Sequence, residues 1–207
     1  MSTGYLCRRA GPGDAAGLLA LFESAGTGCY CNYWHFEGDK NAWLEQCYLK
    51  PELNRAALVA RLAAPGLAGI VAIGPSEPSD RSGACCGWLK LMRASAAPRL
   101  YEQRVYRNLP CFSAGSREDV YAVGCCYILE TERGRGLARA LLSAAIAEAR
   151  ATGASALEAF PRKMPGSEAE PLRPDEVWMG PEGLFLQAGF NQVSDFRPYP
   201  VLRLHLR

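Results

Sequence analysis

Two kinds of hydrophobic pattern follow each other near the middle of the chain. Residues 120–129 (VYAVGCCYIL) carry no charge and are rich in β-branched and aromatic side chains, which is typical of a buried strand. Further along, apolar residues recur at steps of one, three and four and mark one face of a helix: Leu137, Leu141, Leu142, Ala145, Ile146 and Ala149. Gly153 can close this helix. The pattern predicts a strand, a short glycine-containing turn and a helix.

Shorter segments of the same two kinds make up the rest of the chain. Strands are predicted over residues 5–9, 69–73, 83–92, 156–160, 190–196 and 201–206. Helices are predicted over residues 40–48, 51–63 and 183–189, after a first helix that has Asp14 as its N-cap and carries Leu18, Leu19 and Phe22. A short helix is expected over residues 99–106, within the otherwise aperiodic residues 93–119. The strand at 156–160 should run parallel to that at 120–129, because a helix forms the crossover.

The length of 207 residues suits a single domain, since domains usually contain about 100–200 residues. Within residues 1–207 we expect four sections. Residues 1–64 hold the first strand and its helices, and residues 68–160 hold the central sheet with the glycine turn. Residues 161–182 contain five of the 14 prolines and are expected to form a mobile loop, and residues 183–207 supply a closing helix and strand pair. The fold class is α/β (α+β).

Composition excludes several functional classes. The sequence has 49% apolar and 21% charged residues, which is typical of a soluble folded protein, and no run of roughly 18 apolar residues that a membrane span needs. Its first residues have neither the basic stretch nor the apolar core of a signal peptide, so we expect a cytoplasmic location. A net charge of +2 gives no overall field that would recruit nucleic acid. The expected partner is a small molecule.

Nine cysteines are present, and two adjacent pairs lie on predicted strands, where neighbouring side chains point to opposite faces. We interpret all nine as reduced. Cys29 and Cys31 have the spacing of half a metal site, but no second pair matches them, and His35 and His205 are the only histidines. We therefore predict no bound metal.

The turn between the central strand and the central helix has a chemical consequence. The first amides of a helix lack partners within it, and the helix dipole adds partial positive charge at that end. Gly134 and Gly136 carry no Cβ, so the backbone can approach a phosphate closely, while Arg133 and Arg135 add charge beside it. The turn is therefore a candidate binding site for a pyrophosphate, although a Gly-x-Gly turn can also be a plain tight connection.

Two families place a glycine turn between a strand and a helix. The dinucleotide fingerprint G-x-G-x-x-G would need glycine at position 139, where the chain has Arg139, although Glu158 lies about where the ribose-binding acid is expected. The stretch from Thr131 to Gly136 instead resembles the motif Q/R-x-x-G-x-G/A of the GCN5-related N-acetyltransferase (GNAT) superfamily, with threonine in the first place. The order of the following strand and helices, and the late Ala188-Gly189-Phe190, resemble the same superfamily.

The resemblance implies a mixed sheet of about six to seven strands, flanked by helices, in which the fourth and fifth strands splay apart. It implies acetyl-CoA as the cosubstrate, with its pyrophosphate on the amides of Arg133, Gly134, Arg135, Gly136, Leu137 and Ala138. By the same resemblance, amides near Tyr127, Ile128 and Leu129 pair with the pantetheine. The position of the usual tyrosine acid is occupied by Phe185, which cannot donate a proton but can pack beside the pantetheine.

Fewer sequence features indicate the catalytic base and the residues on the acceptor side. Glu130 follows the central strand and is a candidate catalytic base, as are Glu37 and Asp39; all three can equally be solvated surface carboxylates. Residues 29–36 (CYCNYWHF) resemble a Cys-aromatic-Cys-x-Tyr-Trp segment of a bacterial GNAT subset. We expect Tyr33, Trp34 and Glu37 to line the acceptor side, whereas the alternative is that these rings only fill the core. Cys125 is a weak candidate nucleophile, because no histidine is expected beside it.

The function implied by the resemblance is an acetyl-CoA-dependent N-acetyltransferase, in which an amine attacks the thioester directly in a ternary complex. One alternative is an acyl-CoA-binding or sensor protein without catalysis, since two familiar groups are replaced by Thr131 and Phe185. A nucleotide-binding oxidoreductase is the other, and Arg139 disfavours it. The sequence does not identify the acceptor amine. Dimers are common in the superfamily, so a homodimer is compatible with the resemblance.

Overall fold

The fold is built around one sheet whose strands come from the whole length of the chain. The computed structural model describes residues 4–75, 84–113, 117–163, 172–173 and 176–207. Its strands are β1 (Leu6–Arg9), β2 (Gly69–Ile73), β3 (Cys85–Arg93), β4 (Val120–Ile128), β5 (Ala156–Ala159), β6 (Asn191–Ser194) and β7 (Val201–His205). Its helices are α1 (Ala15–Ser24), α2 (Lys40–Leu49), α3 (Pro51–Ala63), α4 (Pro98–Tyr101), α5 (Pro110–Ser113), α6 (Leu137–Ala151) and α7 (Glu182–Gln187). The predicted mixed sheet flanked by helices is confirmed.

The seven strands form one sheet in the order β1-β2-β3-β4-β5-β7-β6. Neighbouring strands run antiparallel except for β4 and β5, which are parallel. The parallel pair follows from α6, because a helical crossover returns the chain to the same end of the sheet before β5 begins. The predicted parallel pairing of these two strands is therefore confirmed.

Different helices cover the two faces of the sheet. On one face α6 buries Leu137, Leu141 and Leu142 against Leu89 of β3 and Val123 of β4. Each such leucine contributes roughly 1.5–3 kcal/mol when it is fully buried. On the other face, α1 and α3 pack against the opposite side of β2 and β3. Between them the helices hold β4 from both sides, which fixes the strand that precedes the glycine turn.

One local prediction is wrong, and another holds only in part. The predicted helix over residues 99–106 is only the single turn of α4, and its continuation breaks into turns that bury Tyr106, whose hydroxyl donates to the Tyr199 carbonyl at 3.1 Å. Asp14 is the N-cap residue of α1, as predicted, but its side chain makes no capping hydrogen bond. Its carboxylate instead accepts from the Gly11 amide at 2.9 Å and pairs with Arg8 at 2.6 Å, because a 3-10 turn precedes the helix.

Part of the predicted mobile loop, residues 161–182, lies outside the described residues, as do residues 76–83 between β2 and β3. The two ends of the longer segment contact each other, since the Arg162 amide donates to the Gly180 carbonyl at 3.1 Å. The second end therefore returns to the sheet beside β5. Among the described residues, none of the helices has the length and hydrophobicity required to cross a membrane.

Candidate active site

β4 and β5 separate after a short run of pairing and form a fork. Only Val120, Tyr121 and Ala122 of β4 pair with β5. Past that point the Cys126 amide donates to the Trp178 carbonyl at 2.8 Å, so the returning segment after β5 takes the place of the neighbouring strand. Ile128 lies two residues further along and faces the same side, because strand backbone groups alternate in direction. The splayed pair implied by the resemblance is therefore present.

The fork changes which backbone groups of β4 can meet a ligand. The Leu129 amide donates to the Cys86 carbonyl at 2.9 Å and so points to the β3 side. Tyr127 alternates in step with Leu129, so its amide faces β3 as well. Of the three amides expected to pair with pantetheine, only that of Ile128 faces the fork, and Cys126 joins it there. The expectation for Tyr127 and Leu129 is corrected accordingly.

The glycine turn lies directly between the end of β4 and the start of α6. Gly134 and Gly136 have φ of 76° and 80°, in the left-handed region that side chains with a Cβ rarely adopt. Gly136 is the N-cap of α6, and because glycine has no side chain, no capping group covers the first amides of the helix. A Cβ placed on Gly134 would meet no atom within 4 Å, so the space above the turn is open. The turn thus presents backbone rather than side chains to an incoming group.

The amides of residues 134–138 point out of this turn without acceptors in the described part of the chain. Intrahelical bonding begins only with Arg139 and Ala140, whose amides both donate to the Gly136 carbonyl. Unpaired amides at the start of a 15-residue helix, with the helix dipole behind them, form a site for an anion. The geometry therefore fits the pyrophosphate of a CoA thioester.

Arginine side chains lie around the same amides. Arg133 donates from Nε to the Ile128 carbonyl at 3.2 Å, and Arg139 donates to the Gln187 side chain at 3.1 Å. Arg135 pairs with Glu132 at 3.2 Å, and its side chain is 62% exposed. The Glu132 carboxylate also accepts a short hydrogen bond from the Tyr5 hydroxyl, and this bond raises the pKa of Tyr5. Glu132 thus holds Arg135 in place beside the turn, where most of the charged side chains are arginines.

The helix start also bears on the register of the motif. The resemblance described from the sequence places the motif Q/R-x-x-G-x-G/A on residues 131–136, where Thr131 stands in place of the glutamine or arginine. Because α6 begins at Leu137, a register two residues later puts the motif on the amides that open the helix. Arg133, Gly136 and Ala138 then occupy its three defined places, and no departure remains. We infer the later register, which the position of the first helical leucine could have indicated.

Glu130 lies apart from the fork. It is exposed and begins the 3-10 turn Glu130–Glu132 at the phosphate end of β4. Cys126, whose amide faces the fork, precedes it by four positions, or up to roughly 13 Å at about 3.3 Å per residue. This separation disfavours Glu130 as the base that accepts a proton at the fork.

Phe185 lies in α7 with its ring fully buried. It packs edge to face against Phe190 at 5.4 Å and belongs to the same apolar cluster as Leu137 and Leu141. The tip of the ring lies against Gly180, where an added Cβ would be 3.0 Å from Cε2. Phe185 therefore stabilises the returning segment beside the fork, and its ring is covered by that segment.

The aromatic residues 33 and 34 reach the sheet at a bulge of β4. Register with β3 shifts between Lys90 and Leu91, which leaves Gly124 as the extra residue. The Trp34 indole donates from Nε1 to the Gly124 carbonyl at 2.8 Å and stacks on Trp178 at 5.4 Å. Gly124 is required here, because a Cβ would lie 3.0 Å from Trp34 and 2.7 Å from Met92. Trp34 thus both fills the core and borders the fork.

A cavity of about 140 Å³ lies beside this stacked pair. Six aromatic residues line it: Tyr33, Trp34, Tyr106, Phe160, Trp178 and Tyr199. Tyr33 and Trp34, which we expect on the acceptor side, both line this cavity. Glu37, in contrast, is exposed and does not line the cavity. Asp39 is the N-cap of α2 and accepts from the Ala42 amide at 2.9 Å, so neither carboxylate is placed for an acceptor amine.

Residues 30 and 31 hold this aromatic segment in an uncommon backbone conformation. Tyr30 and Cys31 have φ of 41° and 56°, and both side chains are buried. Two consecutive non-glycine residues in the left-handed region cost of order 1–3 kcal/mol each and persist only where the surroundings determine them. Tyr30 contacts Phe22 of α1 at 6.0 Å, edge to face. The segment is therefore anchored by packing before it reaches Trp34.

A buried lysine lies beneath the bulge. Lys90 pairs across the sheet with Cys125 and is 1% exposed, and its Nζ has no hydrogen-bond partner in the part of the chain that the structure describes. Burial, and then the nearby charge of Arg61, lower the pKa of Lys90 to about 8. The same two cations, after burial, contribute to lowering the pKa of His35 to about 3. The cluster is costly for stability because little compensates its charge.

Lys90→Met should raise the free energy of unfolding at pH 7 by roughly 3 kcal/mol, since each pKa unit corresponds to about 1.4 kcal/mol. Unfolded lysine binds its proton up to about pH 10.4, whereas folded Lys90 loses it near pH 8. Between these values the unfolded chain holds more protons, so wild-type stability rises with pH and the advantage of the variant shrinks. Urea unfolding at pH 7, 8.5 and 10 measures this change.

Lys40→Met is the matched control, because Lys40 is exposed at the start of α2. Its stability should stay within about 0.5 kcal/mol of wild type. A Lys90→Met variant less stable than wild type would mean that the buried ammonium has compensating partners.

The Cys125 thiol, opposite this lysine on β4, is not activated for nucleophilic chemistry. All nine cysteines are free. A hydrogen bond with Cys31, and then burial, raise the pKa of Cys125 well above its usual range, so the thiol stays protonated. Among the described residues, no group of three or more His, Cys, Asp or Glu side chains could hold a metal ion. Cys29 and Cys31 therefore belong to no such group in that part of the chain.

Glu158 is part of a buried ionic network rather than a ribose site. Its carboxylate accepts from the Tyr101 hydroxyl at 2.6 Å and from Arg203 at 2.9 and 2.5 Å, and it pairs with Arg117. Its side chain is fully buried. The network ties the segment between β3 and β4 to β5 and β7. Sequence analysis missed it, because arginines spread over 86 positions give no local pattern.

Comparisons with known proteins agree with this geometry. Residues 86–164 match the model of the acetyltransferase (GNAT) family. Among solved structures, a GCN5-related N-acetyltransferase from Kribbella flavida is 17% identical with a TM-score of 0.52, covering 98% of this chain and 98% of that chain. The structure of yncA from Salmonella typhimurium, with its cofactor acetyl-CoA, is 18% identical with a TM-score of 0.52, covering 98% and 94%. The GNAT domain of S. lividans PAT is 18% identical with a TM-score of 0.51, covering 97% and 89%.

The search of curated proteins found no match to this sequence. The family match nevertheless spans β3, β4, the glycine turn, α6 and β5, which are the elements that build the fork and the anion site. The structural similarity extends over nearly the whole chain. Residues 86–164 therefore match the GNAT acetyltransferase family, and the chain as a whole has the GNAT fold.

Proposed function

We propose that the protein is an acetyl-CoA-dependent N-acetyltransferase. The observation that carries the proposal is the glycine turn, whose unpaired amides at residues 134–138 open α6 next to the fork between β4 and β5. The anion site fits the pyrophosphate of a CoA thioester. The neighbouring edge of β4 fits its amide-containing pantetheine. Acetyl-CoA supplies an activated acyl group as a thioester.

The residues at the fork have separate tasks in this proposal. The amides of the turn and the side chains of Arg133 and Arg135 hold the pyrophosphate. The backbone of Ile128 pairs with the pantetheine along the open edge of β4. The Cys126 amide then polarises the thioester carbonyl, which stabilises the developing oxyanion. For this to happen the Trp178 carbonyl must release Cys126, so a small displacement of the returning segment accompanies binding.

The proton balance of the reaction needs no dedicated side chain. The neutral amine forms a C–N bond to the carbonyl carbon, the C–S bond breaks, and CoA leaves as a thiolate that takes up a proton from solvent. Phe185 has no hydroxyl with which to protonate the thiolate. No Asp or Glu lines the cavity within the described residues, so water accepts the proton of the ammonium. Catalysis then rests on positioning and on the Cys126 amide.

The proposal is tested in two steps with the purified protein. Thermal shift with acetyl-CoA, NAD and NADP should show stabilisation by acetyl-CoA alone. Release of CoA thiol should then depend on an added amine, measured over a panel of amines at fixed acetyl-CoA. Stabilisation by NAD or NADP without stabilisation by acetyl-CoA would overturn the assignment.

A second candidate is an acyl-CoA sensor that binds without transfer. Two observations favour it: Phe185 is fully buried, and the Trp178 carbonyl occupies the Cys126 amide. Binding of acetyl-CoA by calorimetry with no thiol release from any amine would select this candidate. Amine-dependent thiol release would exclude it.

Trp34→Phe should separate the two roles of this residue. The variant keeps an aromatic ring but removes the donor to the Gly124 carbonyl, so we expect a loss of about 1–3 kcal/mol in the free energy of unfolding. It should also raise the KM for the acceptor while the Kd for acetyl-CoA stays unchanged, because the indole borders the cavity rather than the turn. Urea unfolding, calorimetry and steady-state kinetics measure the three quantities.

Trp43→Phe is the control for this substitution. Trp43 packs against Tyr33 at 5.3 Å and is similarly buried, but it does not line the cavity. Its acceptor KM should stay at the wild-type value. Equal losses of affinity for acceptor and acetyl-CoA in Trp34→Phe would show that Trp34 acts only through the core.

A further inference from the structure

The cavity beside Trp34 has the size of a single aromatic ring. Its volume is about 140 Å³. For comparison, an engineered apolar protein cavity of about 150 Å³ binds benzene. The cavity is open on one side, so it can hold one ring while the rest of a ligand lies outside it. The cavity therefore limits the part of a ligand that it can enclose.

The chemistry of the walls selects an uncharged group. Besides the six aromatic residues, the lining consists of Leu100, Met179 and Gln103. Two polar groups in the walls already have partners, because Trp34 donates to Gly124 and the Tyr106 hydroxyl donates to the Tyr199 carbonyl. No charged side chain lines the cavity in the described ranges. A charged substituent would lose its hydration here without gaining an ion pair.

The arrangement of the wall rings favours an aromatic group over an aliphatic one. Tyr33 meets Trp178 at 86° with 6.0 Å between centroids, and Tyr106 meets Phe160 at 56° with 5.1 Å. Such edge-to-face and tilted contacts are favourable for aromatic pairs beyond their buried area. A ligand ring between these walls would continue the same pattern.

Two walls of the cavity are joined directly to the reacting part of β4. Trp34 bonds to Gly124, and the Trp178 carbonyl bonds to the Cys126 amide. These two strand positions are about 7 Å apart. A ring in the cavity therefore lies one short linker away from an acyl carbon held at the Cys126 amide, once the Trp178 carbonyl has released that amide.

On the basis of the proposed function, we propose that the acceptor is a primary amine that carries one uncharged aromatic ring on a short linker, with the ring bound in this cavity. The amine nitrogen stays outside the cavity and faces the fork. There it forms the C–N bond to the acetyl carbon as the C–S bond breaks, and the products are an N-acetylated arylalkylamine and CoA. Polyamines and aminoglycosides are poor acceptors, because they carry several charges and no ring of this kind.

Binding is measured first, without acetyl-CoA, so that the test does not depend on transfer. Phenethylamine is titrated into protein with 15N-labelled tryptophan, and the four indole N–H signals are followed. The signals of Trp34 and Trp178 should shift, whereas that of Trp88, which is fully buried in another cluster, should not. 2-Cyclohexylethylamine, with the same shape but no π system, and spermidine are titrated in parallel.

Thiol release with the same three amines gives the second readout. We expect kcat/KM for phenethylamine to exceed that for spermidine at least 100-fold and that for 2-cyclohexylethylamine at least threefold. Gln103→Trp puts a large ring into the lining of the cavity and should weaken phenethylamine binding at least tenfold, with no change in acetyl-CoA affinity. Gln192→Trp, on the exposed edge strand β6, is the matched control and should behave as wild type.

The outcomes separate this inference from the proposed function. Shifts at Trp34 and Trp178 with no turnover of any amine support the cavity assignment and overturn the transferase. Turnover of spermidine with no shift from phenethylamine leaves the transferase standing and overturns the inference. Equal binding and turnover of the aromatic and cyclohexyl amines would also overturn it, since the ring class would then be wrong.

Discussion

Glu158→Gln should lower the free energy of unfolding by about 3–5 kcal/mol, the usual effect of removing one partner from a buried ion pair. The substitution keeps the size of the side chain but leaves the guanidinium groups of Arg117 and Arg203, each 17% exposed, without their carboxylate. The Tyr101 hydroxyl also loses a charged acceptor. Urea unfolding monitored by circular dichroism measures the change.

Glu45→Gln is the control for this prediction. Glu45 pairs with Lys50 at 2.7 Å, but the two side chains are 51% and 54% exposed. Removing such a surface pair should cost less than about 1 kcal/mol. If Glu158→Gln fell within the same range, the two arginines would have to be satisfied by water, and the network would not anchor the segment that carries α4.

Local pattern was sufficient to predict most of the elements in this fold. The bounds of α3 and β2 agree with the sequence prediction, because Pro51 and Gly69 mark their starts and apolar residues continue between clear ends. The start of α6 at Leu137 and the strand before it were also predicted, since the period changes from two to about 3.6 across a glycine turn. In each case the signal lies within about 15 neighbouring residues.

The candidate site depended more on contacts that are distant in sequence. The Trp178 carbonyl meets Cys126 across more than fifty positions, and Trp34 meets Gly124 across ninety. Neither contact leaves a periodic trace, so the sequence indicated an aromatic segment without showing which backbone it touches. The carboxylates Glu37 and Asp39 appeared relevant because they adjoin that segment, yet the chain turns away after His35 and leaves them outside the cavity.

The buried charges of Lys90 and Glu158 could not be predicted from the sequence for a different reason. Lys90 interrupts an apolar strand as a surface residue would, and only burial on both faces of β3 makes its ammonium costly. Glu158 does the same in β5 but finds two arginines. Two identical sequence signals, one charge within a short apolar run, therefore have opposite energetic consequences, and the difference is the presence of partners.

Gly134→Val should weaken acetyl-CoA binding by at least about 2 kcal/mol, or roughly 30-fold in Kd. The new side chain points into the open space above the turn, where no protein atom lies within 4 Å, so in the free protein it meets only solvent. A pyrophosphate on the amides of residues 134–138 would need that same space. Calorimetry with acetyl-CoA at low and high salt measures the loss.

Gly153→Val supplies an unusually close control at the other end of α6. Gly153 has φ of 75°, against 76° for Gly134, and an added Cβ there also meets nothing within 4 Å. Both valines adopt the same unfavourable backbone region and should lower the free energy of unfolding by similar amounts, of order 1–3 kcal/mol. Only the variant at the N-terminal end should lose acetyl-CoA affinity. If the two variants kept equal affinity, the amides of the turn would not be the pyrophosphate site, and the proposed function would lose the observation that carries it.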